Sequence, residues 1–170
     1  MFKHKKSGVI AMSLENAQKY VEDKGYGDRI MLFDVSSATV ELAAEAVGTA
    51  PEHIAKSLTF MLDNVPVMVV CAGDAKIDNS KYKAFFGKKA KMLTRDEVNE
   101  LIGHDVGGVC PFGIKSGVKV YLDESLKRFD AVYPACGNAA SAVKLTPDEF
   151  FGMLEEADWA DVCKYQTGNN

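Results

Sequence analysis

The 170-residue sequence has no apolar run of about 18 residues, the length a helix needs to cross a bilayer. No membrane-spanning helix is therefore expected. Its four cysteines, Cys71, Cys110, Cys136 and Cys163, lie far apart and form no C-x-x-C. Zinc sites usually draw their ligands from close pairs, so no metal is expected. With an ordinary core and no export signal, a disulfide framework is not expected either, and the thiols read as buried or incidental. Histidine is scarce, with three in the chain. His4 falls near the start, His53 in a polar turn and His104 in a glycine-rich loop. There is no G-x-S-x-G, and the histidines form no evident Ser-His-Asp set. The net charge of −4 argues against wholesale coating of nucleic acid, but not against a local basic patch. The opening MFKHKKSGVIAMSLENAQ is basic but lacks the roughly 7–15 apolar residues of a secretory signal. It reads as a flexible extension over residues 1–12 ahead of a helix, with Met12 an alternative start. A cytoplasmic location is expected. Repeats, low-complexity tracts and linkers are all missing.

What is there is a core. Hydrophobic residues make up 47% of the chain, and the length suits one domain over residues 1–170. Ser13 can cap a first helix ending at Gly25. RIMLFDV reads as a strand, and Thr39 to Val47 as a helix closed by Gly48. Pro51 opens another helical turn. The strand IAKSLTFML and the strand VPVMVVCAG follow, joined by a turn at Asp63-Asn64. The second is apolar on both faces, so it belongs inside the sheet. NSKYKAFFG reads as a helix and AKML as a short strand. Thr94 with Glu97, and Thr146 with Pro147 and Glu149, are capping boxes for the helices RDEVNELIG and DEFFGMLEEA. VKVYLD, DAVYPA and ASAVKL read as strands, with a helical turn after the first. The fold class is α+β: one compact domain with a mixed, mostly antiparallel sheet or partial barrel and surrounding helices.

One residue conflicts with this pattern. In PEHIAKSLTFMLDN, period two puts Lys56 on the same face as Ile54, Leu58, Phe60 and Leu62. Either its stem packs while the head reaches water, or it lines a polar cavity and meets an anion or carbonyl. An unpaired buried ammonium is too costly. A cavity needs a second wall, and the candidate is GHDVGGVCPFG, residues 103–113. Its four glycines permit unusual backbone angles and close ligand approach, while Pro111 stiffens the turn. The loop also reads as a tight bend between sheet elements. It is not a P-loop, because no lysine follows the last glycine directly and a strand comes after it.

The inward lysine, the helix after it and the motif G-H-x-V-G-G-V-x-P-F-G resemble the YbaK / prolyl-tRNA editing domain family. Gly137 after a strand, then AVKLTPDEF, extends the resemblance from about Ile30 to Phe151. The resemblance implies a compact mixed α/β domain. It implies hydrolysis of the ester between a wrong amino acid and tRNA, in trans, by proteins that often work beside prolyl-tRNA synthetase. By position, Lys56 matches the family's key lysine. Gly107 and Pro111 match its G-x-x-x-P motif, whose backbone positions the aminoacyl group. Ser57 stands where the cysteine-specific branch often has threonine. That branch usually reads Lys-Arg-Gly after the residue matching Gly137, where this chain has Asn138-Ala139-Ala140. Gly137-Asn138 resembles the segment of alanine-editing relatives instead.

The residues suit such chemistry. An aminoacyl ester is already activated, so water can attack without a protein nucleophile if the oxyanion is stabilised. Backbone N–H groups at Gly107 and Gly108 are the expected donors, each worth roughly 3 kcal/mol. Lys56 is expected to hold a phosphate or carbonyl oxygen of the terminal adenosine. Gly113, His104, Ser57, Gly137 and Asn138 join Pro111 as expected substrate contacts. The resemblance suggests that the substrate's own ribose hydroxyl assists, so no cofactor and no general base residue are expected. Cys110 lacks an evident partner base. For tRNA, Lys76, Lys81, Lys83, Lys88, Lys89 and Lys91 face only Asp78. Lys81, Lys88, Lys89 and Lys91 are the candidate phosphate contacts, and a solvated lysine face is the plain alternative. Three functions remain open: a trans-acting aminoacyl-tRNA deacylase, an idle relative that binds tRNA or a synthetase, and an esterase for other small acyl groups.

Overall fold

Helix α1 runs from Phe2 to Asp23. Ser13 therefore lies inside the helix rather than capping it, and the helix extends through the segment expected as an extension. The computed structural model describes residues 2–35, 39–105 and 107–165, with side chains from Ser13 onward. Val106 of the glycine loop and the side chains of His4 and Met12 lie outside the described residues. Ala17 and Val21, one turn apart on α1, are fully buried. They seal the helix onto the core.

Strand β1 (Ile30–Leu32) is followed by helix α2 (Val40–Val47), which Thr39 caps by accepting from the Leu42 N–H. A 3-10 turn at Pro51–His53 leads into β2 (Ile54–Leu62), then β3 (Val65–Ala72). Asp63 and Asn64 between them both take positive φ, 49° and 65°. Two left-handed residues make the tight hairpin turn whose twist matches that of the strands. The turn fixes the register, with Leu62 opposite Val65 and Lys56 opposite Cys71.

After β4 (Lys76–Ile77) comes helix α3 (Asn79–Phe86), capped by Asp78. Thr94 and Glu97 form the expected capping box on α4 (Arg95–Glu97), which continues as a π turn over Val98–Ile102 to Gly103. The expected AKML strand is reduced to one bridge, Met92 against Phe60. Strand β5 (Lys119–Asp123), a 3-10 turn at Glu124–Arg128, β6 (Tyr133–Pro134) and β7 (Ser141–Val143) follow. Helix α5 (Pro147–Met153) stops earlier than its pattern suggests. The residues after it form β8 (Ala157–Ala160) and β9 (Cys163–Lys164). Tertiary pairing decides these last strands, because Ala157 to Ala160 run beside β5 from Val120 to Asp123.

The central sheet has the order β6-β2-β3-β5-β8. The β2–β3 hairpin is antiparallel, and β6, β5 and β8 join in parallel, so the sheet is mixed. Two antiparallel ladders, β1 with β7 and β4 with β9, flank it. Strand β3 lies in the middle, and Val67, Met68, Val69 and Val70 are at most 2% exposed. Burying each side chain contributes about 1.5–3 kcal/mol. Tyr82 of α3 packs against Phe60 in the core, and the half-buried Phe86 packs on Tyr82.

Candidate active site

Strand β2 is paired on the β3 side from Ala55 to Leu62. Among the described residues its other edge is paired only towards its two ends. Ile54 and Ala55 lie against β6. Further on, Met61 N–H donates to Lys91 O at 2.8 Å and Leu93 N–H donates to Thr59 O at 3.0 Å. Odd-numbered residues of β2 thus aim their backbone groups at this edge, and alternation makes Ser57 do the same. Between the two pairings a cavity of about 320 Å³ opens, lined by Lys56, Ser57, Gly107, Arg95, Tyr133 and Met92 among others. That volume falls in the range of small-ligand sites.

Lys56 is half-buried, and its Nζ donates to the Gly73 carbonyl at 3.2 Å. An ammonium has three donors, so the bond orients the head and leaves capacity for a ligand. Ser57 Oγ is buried in the cavity wall and has no hydrogen-bond partner. A buried hydroxyl without a partner costs about 1–3 kcal/mol, a cost that a polar ligand atom would offset.

The glycine loop forms the opposite wall at Gly107 and Val109. Gly107 has φ +98°, a left-handed angle that most residues avoid. Gly108 does not offer its N–H to the cavity, because it donates to Asp105 O at 3.0 Å. Its part is close approach: a Cβ there would sit 2.5 Å from Asn138 Cα and 2.7 Å from Gly137 C. The two loops expected at the site, 103–113 and 136–138, are therefore in backbone contact.

Several expected substrate contacts are placed elsewhere. Pro111 and Gly113 line a second hollow with Tyr20 and Lys115, not the Lys56 cavity. Asn138 turns its Oδ1 back to the Ala140 N–H at 2.9 Å. Gly137 is covered by α1, since a Cβ on it would meet Leu14 Cα at 2.8 Å. His104 is 0% exposed and so cannot touch a substrate in the cavity. Its Nε2 lies 2.7 Å from the Phe112 carbonyl, which only accepts, so Nε2 carries the ring proton. Burial lowers the His104 pKa, partly countered by that bond.

Cys110 does have a histidine neighbour, contrary to expectation, with His104 Nε2 3.5 Å from its Sγ. That nitrogen is already a donor, so it cannot take the thiol's proton. Burial also pushes the Cys110 thiol far above its usual range. Such a thiol is not a nucleophile at neutral pH.

The lysine run divides. Lys81 is committed to Asp161 at 3.0 Å and to the Cys163 carbonyl at 3.2 Å. Lys88 pairs with Asp63 on an exposed surface. Lys89 and Lys91 are exposed, and Lys91 directly precedes Met92 at the cavity. Arg95 was not singled out in the sequence. It lines the cavity and pairs with Asp105 at 3.6 Å. Tyr133, Thr39 and Val40 were likewise missed, and no local pattern marks them, because β6 and α2 reach the site only through the fold.

Residues 35–152 match the model of the aminoacyl-tRNA editing domain. The chain is 48% identical over 154 residues to the uncharacterized protein YwhH of Bacillus subtilis, covering 90% of this chain and 98% of that one. It is 33% identical over 145 residues to a proline–tRNA ligase of Halalkalibacterium halodurans, covering 81% of this chain and 24% of the ligase. The chain thus spans about a quarter of that enzyme's length. A crystal structure described as that of a candidate trans-editing enzyme for prolyl-tRNA synthetase superposes with a TM-score of 0.81 at 30% identity. The match covers 89% of this chain and 97% of that one. Among the described residues no helix is long and apolar enough to cross a membrane, and no cluster of metal-ligating side chains occurs.

Proposed function

The chain belongs to the aminoacyl-tRNA editing domain family, and from that membership we propose that it is a trans-acting deacylase that hydrolyses the ester of mischarged tRNA. Its expected substrate is tRNA-Pro carrying a small amino acid such as alanine or cysteine. The observation that carries this reading is the gap at the β2 edge, where Lys56, the unpartnered Ser57 hydroxyl and the Gly107 wall meet in one cavity. The relation to a proline–tRNA ligase and to a candidate trans-editing structure supports tRNA-Pro and prolyl-tRNA synthetase as partners.

In this reading Lys56, anchored on Gly73, holds a phosphate or carbonyl oxygen of the terminal adenosine by charge. The ester lies along the unpaired β2 edge. The Ser57 backbone groups, on that edge, meet the aminoacyl group, with the buried hydroxyl behind them. Backbone N–H groups at Gly107 and Val109 stabilise the oxyanion as water adds to the carbonyl carbon; one donor is worth roughly 3 kcal/mol. The tetrahedral intermediate then expels the ribose oxygen, which takes up a proton, and releases the free amino acid. No protein nucleophile is needed, which agrees with the buried, protonated Cys110.

The test is to incubate the protein with tRNA-Pro charged with alanine, cysteine, serine or proline and to follow ester loss. Loss from a mischarged species and not from prolyl-tRNA is the expected result. Binding without turnover would reduce the protein to a tRNA- or synthetase-binding module. Turnover of small free esters alone would make it another kind of esterase.

A further inference from the structure

A serine in the middle of a helix usually faces solvent or bonds back to its own backbone. Ser13 does neither. It is 2% exposed, its hydroxyl meets His104 Nδ1, and it lies 3.0 Å from the Gly137 carbonyl oxygen. His104 in turn donates from Nε2 to Phe112 O at 2.7 Å. One serine and one histidine thus connect α1 to both loops of the site. The backbone reinforces the connection. A Cβ on Gly113 would fall 2.6 Å from Asn16 C, and one on Gly137 would fall 2.7 Å from Ser13 O. Helix α1 lies directly against both glycines, in space that a side chain would fill.

We propose that Ser13 and His104 form a buried latch that positions the glycine loop and the 136–138 loop against each other, and so sets the Gly107 wall of the Lys56 cavity. The role rests on the editing reading of the site. The latch touches no substrate, so both are positioning residues. Their partners single out the site. Phe112 O belongs to the loop that supplies Gly107, and Gly137 is packed against Gly108. The proton count defines the latch as well. His104 Nε2–H serves Phe112, and the lone Ser13 proton serves either His104 Nδ1 or the Gly137 oxygen. Removing that hydroxyl removes the one donor that these two buried acceptors, His104 Nδ1 and the Gly137 oxygen, share.

The test uses Ser13→Ala and His104→Gln in the full chain, read by amide hydrogen exchange and by kinetics on mischarged tRNA. In both variants, exchange over 103–113 and 136–141 should rise about five- to tenfold while the β2–β3 hairpin keeps its protection. The kcat should fall about tenfold with KM for tRNA unchanged, because only the placement of the oxyanion donors is lost. A uniform rise of exchange across the chain, or wild-type kcat in both variants, overturns the latch and leaves an ordinary core contact. A wild-type protein inactive on every charged tRNA defeats the editing reading alone, and the exchange pattern still decides the latch.

Discussion

Lys56 Nζ reaches the carbonyl oxygen of Gly73 across 3.2 Å, from near the start of one hairpin strand to the residue just past the end of the other. The bond spans the sheet at the position where the outer edge of β2 is unpaired. Gly73 is itself fixed, because a Cβ there would overlap the Pro51 carbonyl oxygen at 2.0 Å. The cation is thus set before any ligand arrives, and preorganised charge is what stabilises developing charge most effectively.

Lys56→Ala removes that charge without emptying the core, since the side chain is only half-buried. The variant should melt within about 4 °C of wild type. Its kcat/KM on mischarged tRNA should fall on the order of 10²-fold. Lys56→Arg should not restore it, because a planar guanidinium cannot keep the point-charge geometry at Gly73. Full activity in Lys56→Ala would remove the lysine from the site.

Much of this site was legible in the chain because its signals are local. An ammonium at a period-two apolar position marks a strand beside a cavity, and GHDVGGVCPFG marks a loop with close backbone approach. Local rules failed where partners are distant in sequence. His104 looked like a substrate contact because it sits in the motif, but Ser13, 91 positions earlier, draws it inward. Ser13 itself looked like a helix start, since its helix-capping chemistry is the same as that of a buried serine. The helix expected over DEFFGMLEEA was to run on to Ala157, where β8 instead begins, and only the edge of β5 makes 157–160 a strand. Arg95 and Tyr133 carry no sequence mark, because the cavity assembles them from α4 and β6.

Stability should fall on acidification through His104. Burial holds its pKa below the ordinary value in the fold, whereas the unfolded chain takes up the proton near pH ~6.5. Between those two values the unfolded state binds more protons, so the contribution is complete above the unfolded value and is lost as pH falls towards the folded one. The slope from this group is at most about 1.4 kcal/mol per pH unit. Urea unfolding at several pH values between 7.5 and 5.5 measures it. His104→Gln, with no titrating group, should show a flatter decline than wild type, and an equal decline would assign the effect to other residues.

Cys110→Ala should keep at least about half of the wild-type kcat, since the thiol is fully buried and protonated. The small cavity left behind should cost about 1 kcal/mol of stability. Mass spectrometry of wild-type protein quenched during turnover should find no acyl group on Cys110. An acyl adduct there would replace the water mechanism with a covalent one.

The basic surface offers a separate test of how the substrate is held. Lys81 is tied to Asp161 and Cys163, so it contributes little freedom to meet a phosphate. Lys88 has only an exposed pair with Asp63, which is worth at most about 1 kcal/mol and yields easily to a stronger anion. Lys89 and Lys91 are exposed, and the chain runs from them directly into Met92 at the cavity. A phosphate backbone that enters the cavity by its terminal adenosine passes this stretch. Each contact releases counterions, so affinity should fall with salt at a slope set by their number. Replacing Lys88, Lys89 and Lys91 together with Ala should weaken tRNA binding and flatten that slope by up to about three units. Turnover at saturating tRNA should stay near wild type, because these groups hold the substrate away from the ester. The loss should also be equal for alanyl-, cysteinyl- and seryl-tRNA, since phosphates carry no information about the attached amino acid. An unchanged salt slope would make this stretch an ordinary solvated face and direct the search for the tRNA path to Arg95, the other cation at the cavity wall.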